Sequence, residues 1–425
     1  MKCSVIREID SLDRIARSGG RLNCSVVQGL DLRQASLPWK ELDCNGAVFL
    51  GCRFPAEVSV CDLMDKGALI FPEFSDLPFN PYRPELYTRE ELMEGWTQED
   101  DQSVDKKIYD HFVKHGKKNP DIIEALAERL HDHAIDDGLT DLLEGRVEKD
   151  GVKKVVAIMG GHSAGRDDPA FRKVAHLARE LTAAGYFVAS GGGPGIMEAA
   201  NLGAYLADIN EAELDAILDD LSTSPNYTDE GYLAAANRVI ERYPTGYSSL
   251  AIPTWFYGHE PTNLFANHIA KYFSNSIRED GLLAIARYGI IFAPGRAGTT
   301  QEIFQDACQN HYASYQEVSP MVFLGTERYT KETPLWETIQ RLSEGRHYHE
   351  MLLLTDEVKE VVSFIKDHPP EPSDGVTSTK VTLLIFGIAT NFFEAIFEIL
   401  SSGSSLIGQK RVARNGPKRV QYELS

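Results

Sequence analysis

The chain has 425 residues, of which 43% are hydrophobic and 25% are charged, a composition typical of a folded globular protein. Its formal net charge of −20 disfavours nucleic-acid binding, because the protein and a polyphosphate chain repel each other. Six cysteines without CxxC spacing favour free thiols in a reducing compartment, and the charged start at residues 1–8 lacks the apolar stretch of a signal peptide, so we expect a cytoplasmic protein.

The first 150 residues are predicted to form two regions that precede the main domain. Residues 1–100 favour a mixed or β-rich module, with short strands at 25–28, 47–51 and 68–71. Residues 101–150 favour a helical linker region, because the apolar residues of 120–136 recur at helical spacing. Neither region shows a set of residues that indicates catalysis.

Residues 151–368 alternate between predicted strands and helices. Short apolar runs typical of buried parallel strands occur at 154–159, 186–190, 250–253, 288–293 and 320–324. Helices are expected at 169–184, 196–205, 263–277, 303–311 and 356–367, with a helical insertion at 208–247. The pattern predicts an α/β protein with a Rossmann-like, doubly wound parallel sheet, which carries a smaller N-terminal module and a C-terminal extension.

The extension, residues 369–425, does not follow this alternation. Residues 381–400 are mostly apolar but contain polar and acidic positions, and the uninterrupted run is shorter than the roughly 20 residues of a membrane-spanning helix. We expect no membrane association, although a packed helix and a membrane-associated segment both remain open for this stretch.

Three glycine-rich loops follow predicted strands. Their candidate phosphate-binding residues are Gly160, Gly161, Ser163, Gly191, Gly192, Gly193, Gly195, Gly295, Arg296, Gly298 and Thr299. In a 3-2-1-4-5 sheet the first and third of these loops flank the ligand crevice at the carboxyl ends of the strands, where helix N-termini bind anions. Glycine in such turns also serves turn geometry alone.

Other ligand classes are less well supported. The loops lack both the G-x-G-x-x-G fingerprint of dinucleotide-binding proteins and the G-x-x-x-x-G-K-[ST] of a P-loop. No residues with zinc spacing are evident, so we expect no metal, and we expect no cofactor. The aromatic segment 255–263 follows the third strand and is a candidate for base stacking or for simple packing.

Two charged residues near the third loop have alternative interpretations. Thr299 to Glu302 fits a capping box, in which Glu302 only completes a helix, whereas an ionised carboxylate beside a bound sugar is a base or a cation stabiliser. Arg278 is placed near the end of the helix before strand four. It either reaches phosphate or sugar, or forms a surface ion pair with Glu279 or Asp280.

The third loop resembles the signature P-G-G-x-G-T-x-x-E of the lonely-guy family, nucleotide 5′-monophosphate nucleosidases (phosphoribohydrolases) that are often mislabelled lysine decarboxylases. The matching residues are Pro294, Gly295, Gly298, Thr299 and Glu302, and Arg296 replaces the second glycine. The family's glycine loop after the second strand is similar to Gly191, Gly192, Gly193 and Gly195. The family also has an arginine in the helix before strand four, and Arg278 is the best candidate for it. The resemblance covers roughly residues 154–366.

The resemblance implies hydrolysis of the N-glycosidic bond of a nucleoside 5′-monophosphate to free base and ribose 5-phosphate. It assigns the phosphate to Gly295, Gly298 and Thr299, catalysis near the anomeric carbon to Glu302, and substrate orientation to Arg278. It also implies a homo-oligomer. Arg296 leaves a second hypothesis open, a protein of the same fold that binds or carries a nucleotide or nucleotide-derived cofactor without turnover.

Overall fold

The computed structural model describes residues 4–19, 21–148 and 151–372. These residues belong to one compact unit, Met1–Thr377. The apolar segment 381–400, for which the sequence left two alternatives, lies outside the described residues. Within the described ranges, no helix combines the length and the apolar character needed to cross a bilayer.

The N-terminal region is built on a four-stranded parallel sheet in the order β1-β2-β3-β4. Its strands are β1 (Ser4–Ile6), β2 (Ser25–Gln28), β3 (Val48–Leu50) and β4 (Leu69–Phe71), and its helices are α1 (Ile9–Arg17), α2 (Val60–Asp65) and α3 (Arg89–Met93). The three predicted strands are confirmed. The first strand and its helix were missed, because each is short.

This sheet has a repeating construction. Ser4 is opposite Ser25, Val26 is opposite Val48, and Val48 is opposite Leu69, so equivalent residues of neighbouring strands are 21 or 22 residues apart. Between 22 and 52 every fifth residue is buried: Leu22, Val27, Leu32, Leu37, Leu42, Ala47 and Cys52. The chain therefore winds in successive coils, and these side chains point inward into one shared core, an arrangement typical of a solenoid.

Two helices connect this region to the main sheet: α4 (Val104–Lys114) and α5 (Ile122–Leu143). Both begin at a side-chain cap, because Ser103 accepts from the Lys106 N–H and Asp121 accepts from the N–H groups of Ile123 and Glu124. Arg7 Nη1 donates to Asp141 Oδ2 at 2.8 Å, which ties the first strand to α5.

The main region continues the predicted alternation. Its first elements are β5 (Val155–Met159), α6 (Pro169–Ala183), β6 (Phe187–Ser190), α7 (Ile196–Tyr205), α8 (Glu211–Leu221), α9 (Tyr232–Arg242), β7 (Leu250–Ala251), β8 (His268–Ile269), α10 (Asn275–Ile285), β9 (Ile290–Phe292) and α11 (Ala297–Tyr312). The last elements are β10 (Glu317–Val318), β11 (Met321–Leu324), α12 (Leu335–Ser343), β12 (Leu352–Thr355), α13 (Val358–Asp367) and β13 (Glu371–Pro372). A π-helix spans Arg328–Glu332, and a 3₁₀ helix spans His347–Met351.

Seven of these strands form one parallel sheet in the order β12-β11-β9-β5-β6-β7-β8. The Rossmann-like, doubly wound architecture is therefore as expected, and its five central strands follow the 3-2-1-4-5 order. β5 is buried along its whole length, and it pairs with β6 on one side and β9 on the other. The strand order reverses between β5 and β9, which is where such sheets bind ligands.

One predicted helix is wrong. Residues 263–277 contain the short strand β8 and a loop, and α10 begins only at Asn275. Backbone hydrogen bonds hold this segment to the sheet, because Ala270 N–H donates to Ala251 and Tyr272 N–H donates to Pro253. Tertiary pairing with β7 overrides the local helical pattern.

Candidate functional site

The three glycine loops meet directly at the carboxyl edge of the sheet. Gly161 N–H donates to the carbonyl oxygen of Pro294 at 3.0 Å, and Ile196 N–H donates to that of Gly161 at 3.2 Å. Gly195 has φ +72°, and a Cβ there would lie 2.6 Å from the Gly161 oxygen. Only glycine therefore allows the second loop to approach the first this closely.

The second loop, 191–195, is buried and tightly packed. A Cβ on Gly191 would overlap Nη2 of Arg278, and one on Gly192 would lie 2.8 Å from Cδ of Pro253. At Gly193 it would lie 2.8 Å from Oε2 of Glu260. Packing requires glycine most strongly at Gly192, where the neighbouring atoms belong to Pro253 and Ala251 and φ is +78°. The assignment of all three glycines to phosphate stays a prediction.

The carbonyl groups of Pro294 and Gly295 both face protein donors. The Pro294 oxygen accepts from Gly161 N–H, and the Gly295 oxygen accepts from Arg328 Nη2 at 2.6 Å. The C=O and N–H of a trans peptide point in opposite directions. The N–H groups of Gly295 and Arg296 are therefore directed away from these partners, towards the side where an anion would lie.

Helix α11 adds further unpaired N–H groups to the same turn. It begins at Ala297 with Arg296 as N-cap, and no side chain caps it. Among the described residues, the N–H groups of Ala297, Gly298 and Thr299 have no hydrogen bond outside the helix, and none can form within its first turn. Gly298 is exposed, with no atom within 4 Å of the position of a Cβ. The helix terminus thus provides open space and N–H donors for an anion.

The predicted capping box is therefore wrong. The helix starts three residues earlier than that interpretation requires, so Thr299 lies in its first turn and Glu302 in its second. Thr299 is buried and its side chain packs over Gly295, where a Cβ would overlap it. A glycine at position 295 allows this contact, which lets the chain enter the helix directly after the turn.

Glu302 is half-buried, and no side-chain or backbone group of the described residues forms a hydrogen bond with its carboxyl. Burial raises the pKa of this carboxyl above its ordinary value, although the nearby charge of Arg278 lowers it. Burial in the second turn of the helix therefore favours the neutral form of Glu302 more than exposure to solvent would.

Arg278 is buried in the first turn of α10, and not near the end of a helix as predicted. Nε donates to the Ile252 oxygen at 2.7 Å and Nη2 to the Gly191 oxygen at 3.1 Å. Both acceptors are neutral, and among the described residues no carboxylate lies within ion-pair distance. The alternative of a surface ion pair with Glu279 or Asp280 is excluded.

The other two candidates lie at the surface. Ser163 is exposed in the first loop. Arg296 is exposed too, and its side chain forms no hydrogen bond or ion pair with the described residues. Its guanidinium thus occupies solvent beside the turn, and it does not fill the space over Gly298.

The aromatic segment after β7 divides into buried and exposed residues. Trp255 is fully buried and its Nε1 donates to Asp105 Oδ1 at 2.7 Å, so it cannot stack on a ligand. Tyr257 is 67% exposed. Its hydroxyl accepts from Asn275 Nδ2 at 2.9 Å, which holds the ring beside the start of α10.

Sequence reasoning missed Arg328 and Glu260 at this edge, and the buried Asp306 further along α11. Arg328 begins the π-helix after β11, far along the chain from Gly295, and Glu260 lies against Gly193. Asp306 lies one turn beyond Glu302; it is 2% exposed and its Oδ2 has no partner within the described structure. The helical spacing of Glu302 and Asp306 was the one visible signal, because residues four apart share a helix face.

Comparison with known proteins finds only distant similarity, to solved structures. No protein-family model matches it, and no curated protein matches it. The molybdenum cofactor binding protein from the phototrophic bacterium Rippkaea orientalis is 13% identical, with a TM-score of 0.33, over 51% of this chain and 96% of that protein. The molybdenum cofactor carrier protein from Chlamydomonas reinhardtii is 14% identical, with a TM-score of 0.31, over 51% and 97%. These identities and TM-scores are too low to assign a function.

Proposed function

We propose that this protein hydrolyses the N-glycosidic bond of a nucleoside 5′-monophosphate, which gives free base and ribose 5-phosphate. One observation carries the proposal: Glu302, a carboxyl with a raised pKa, and Arg278, a buried arginine without a counter-ion, lie beside a helix N-terminus with unpaired N–H groups. The two are close enough for the charge of Arg278 to affect the pKa of Glu302.

The phosphate would bind at the turn that runs from Pro294 to Thr299. The N–H groups of Gly295 and Arg296 face away from Gly161 and Arg328, and those of α11 follow them. Such a site needs no cluster of lysines, because the partial charge of the helix terminus acts at short range. The formal net charge of −20 is spread over the whole chain and is screened over about 10 Å in salt.

Glu302 would act as general base for the attacking water. A base is most effective when its pKa lies near the working pH, and burial moves the Glu302 pKa in that direction. Once ionised, the same carboxylate stabilises the positive charge that develops on the sugar ring in an oxocarbenium-like transition state. Arg278 would contact the phosphate or the sugar hydroxyls through donors that Ile252 and Gly191 leave unused. Tyr257 is the aromatic side chain exposed enough to stack on the base.

A carrier or sensor without turnover is the alternative. Arg296 favours it, because a charged side chain replaces glycine beside the anion site and adds a donor that tightens binding of phosphate without contributing to bond cleavage. Both hypotheses use the same turn and predict the same phosphate contacts. They differ only in whether bound nucleotide is converted.

A panel of purine and pyrimidine 5′-monophosphates separates the two. The purified protein is incubated with each nucleotide, and free base is measured by chromatography while binding is measured by calorimetry. Base release supports the nucleosidase, and Glu302→Gln should then retain binding and lose at least about 100-fold in rate, as expected for removal of a general base. The control is Glu337→Gln, an exposed glutamate on α12, which should leave both unchanged. Binding without any base release supports the carrier.

We further propose a homo-oligomer in a reducing compartment such as the cytoplasm. The described cysteines Cys24, Cys44, Cys52, Cys61 and Cys308 are free thiols, as such a compartment requires. Light scattering on the eluting protein measures the assembly, and a monomer at working concentration contradicts it.

A further inference from the structure

We propose that His111, His115 and Glu124 form a binding site for a divalent transition-metal ion, Zn²⁺ in particular, between α4 and α5. One nitrogen of each ring and one carboxylate oxygen lie within 4.8 Å of one another. The site is separate from the glycine loops and does not depend on the function proposed for them.

The local fold brings the three side chains together. His111 and His115 are four residues apart, so they share one face at the end of α4. Glu124 lies in the first turn of α5, where Asp121 caps the helix by accepting from Glu124 N–H. The turn between the helices is fixed by two backbone bonds, from Lys117 N–H to Phe112 and from Asn119 N–H to Gly116. The ligands are thus held in place before an ion arrives.

The distances suit a small ion. His111 Nε2 lies 3.1 Å from each oxygen of Glu124. A tetrahedral zinc site with bonds of about 2.0–2.1 Å to nitrogen and oxygen keeps its ligand atoms about 3.3–3.4 Å apart. For this pair, an ion that replaces the shared proton requires shifts of only a few tenths of an ångström. The third ligand atom, on His115, lies within 4.8 Å of the other two.

The hydrogen bonding of His115 selects the nitrogen that remains for a metal. Its Nδ1 lies 2.9 Å from the carbonyl oxygen of His111, and a carbonyl only accepts, so Nδ1 carries the proton. Nε2 of the neutral ring then carries the lone pair. This second-shell bond to a carbonyl is the arrangement that usually orients metal-binding histidines.

The surroundings leave room for a fourth ligand and do not repel a cation. All three side chains are half-buried, so water reaches the site. The open cavity beside His111 is bordered by Asp76, Asp110, Lys107 and Lys114, whose two negative and two positive charges balance. Two imidazoles, one carboxylate and one water match the donor set of zinc sites that keep an open position.

The alternative is an ordinary ion pair between His111 and Glu124. That pair needs only two residues and does not involve His115, whose hydrogen bond to the His111 carbonyl leaves Nε2 available. His176 and Asp215 form such a pair elsewhere, with Nε2 2.9 Å from Oδ1. Within the described residues, they do not belong to a cluster of three potential metal ligands. This pair provides a matched control.

The test is zinc binding by the full chain purified without a histidine tag. The protein is stripped with a chelator, dialysed against Zn²⁺, and analysed for bound metal by mass spectrometry, and Co²⁺ is added separately to record the visible spectrum of its coordination. We expect one Zn²⁺ per chain, a tetrahedral Co²⁺ spectrum, and a melting temperature that rises with Zn²⁺.

The decisive variant is His115→Ala, which leaves the His111–Glu124 hydrogen bond intact. It should weaken Zn²⁺ binding at least about tenfold and abolish the Co²⁺ spectrum, whereas His176→Ala should bind as the wild type does. Melting temperatures in chelator show that both variants are folded. Absence of retained Zn²⁺ in the wild type, or equal retention by His115→Ala, overturns the proposal.

Discussion

Arg328 donates a 2.6 Å hydrogen bond from Nη2 to the carbonyl oxygen of Gly295. This bond sets the orientation of the peptide group between Gly295 and Arg296. Gly295 lies in the turn after β9, whereas Arg328 begins the π-helix that follows β11. Because the Arg296 N–H points opposite to that carbonyl, Arg328 controls the direction of a donor in the proposed phosphate site.

Replacement of Arg328 should therefore weaken phosphate binding. Arg328→Ala frees the peptide to rotate, and loss of a charged hydrogen bond of about 1.5–3 kcal/mol corresponds to at least about a tenfold rise in the Kd for ribose 5-phosphate. Calorimetry measures the Kd. The control is Arg341→Ala, which removes an ion pair with Glu337, four residues earlier in the chain. This variant should leave the Kd unchanged. A folded Arg328→Ala protein with wild-type affinity would show that the peptide orientation does not matter.

Gly298 allows stability to be separated from binding. It lies in the first turn of α11 and a Cβ there meets no atom within 4 Å, so Gly298→Ala should stabilise the fold by about 0.4–1 kcal/mol. The same methyl group projects into the space proposed for the phosphate and should weaken binding. Gly281→Ala, at an equally open position of α10, should stabilise without affecting affinity. Melting curves and calorimetry on both variants check this, and equal effects on affinity contradict the proposed anion site.

The rate of base release should depend on the ionisation of Glu302. A general base acts only when ionised, and burial raises the pKa of this carboxyl. Activity is therefore expected to fall, as the pH is lowered, at a pH above the ordinary titration of glutamate near 4.3. The pH profile of kcat/KM measures this decrease at low pH. Glu302→Gln should abolish base release, and with it the pH dependence. An acid limb at or below pH 4.3 argues against Glu302 as the base.

Asp136 should make stability depend on pH. Burial raises the pKa of this carboxyl to about 8, although the Tyr272 hydroxyl, which donates to Oδ1 at 2.9 Å, lowers it. Between pH 4 and pH 8 the folded state then holds a proton that the unfolded state has lost, so the free energy of unfolding decreases as the pH rises through this range. Asp136→Asn should remove that decrease and be more stable than the wild type at pH 8.

The control for this effect is the neighbouring Asp137→Asn, whose side chain is 43% exposed. Denaturant titrations from pH 4.5 to 8.5 provide the measurement. The two variants are compared by how the free energy of unfolding changes with pH. If Asp137→Asn reduces this pH dependence as much as Asp136→Asn does, the effect comes from surface charge.

Repeats that are plain in the structure can be weak in the sequence. The buried series from Leu22 to Cys52 places an apolar residue at every fifth position, but its members differ in size, and other apolar residues such as Val26, Trp39 and Leu50 lie between them. Each coil buries its face only against the next coil. The three predicted strands were therefore found, and their stacking was not.

The sequence by itself determined the parallel α/β core and the position in the chain of the turn that we propose as the phosphate site. Both depend on local features: apolar runs short enough for strands, and Gly/Pro turns that enter a helix. The contact between the first and third glycine loops followed from the common strand order alone.

Only the tertiary structure decided which charged groups surround that site. The burial that raises the pKa of Glu302, the carbonyl contacts of Arg278 and the hydrogen bond from Arg328 to Gly295 depend on elements far apart in the chain. The start of α11 at Ala297 depends on the packing of Thr299 over Gly295 as well. Desolvation and side-chain direction come from packing, and no local pattern of residue types specifies them.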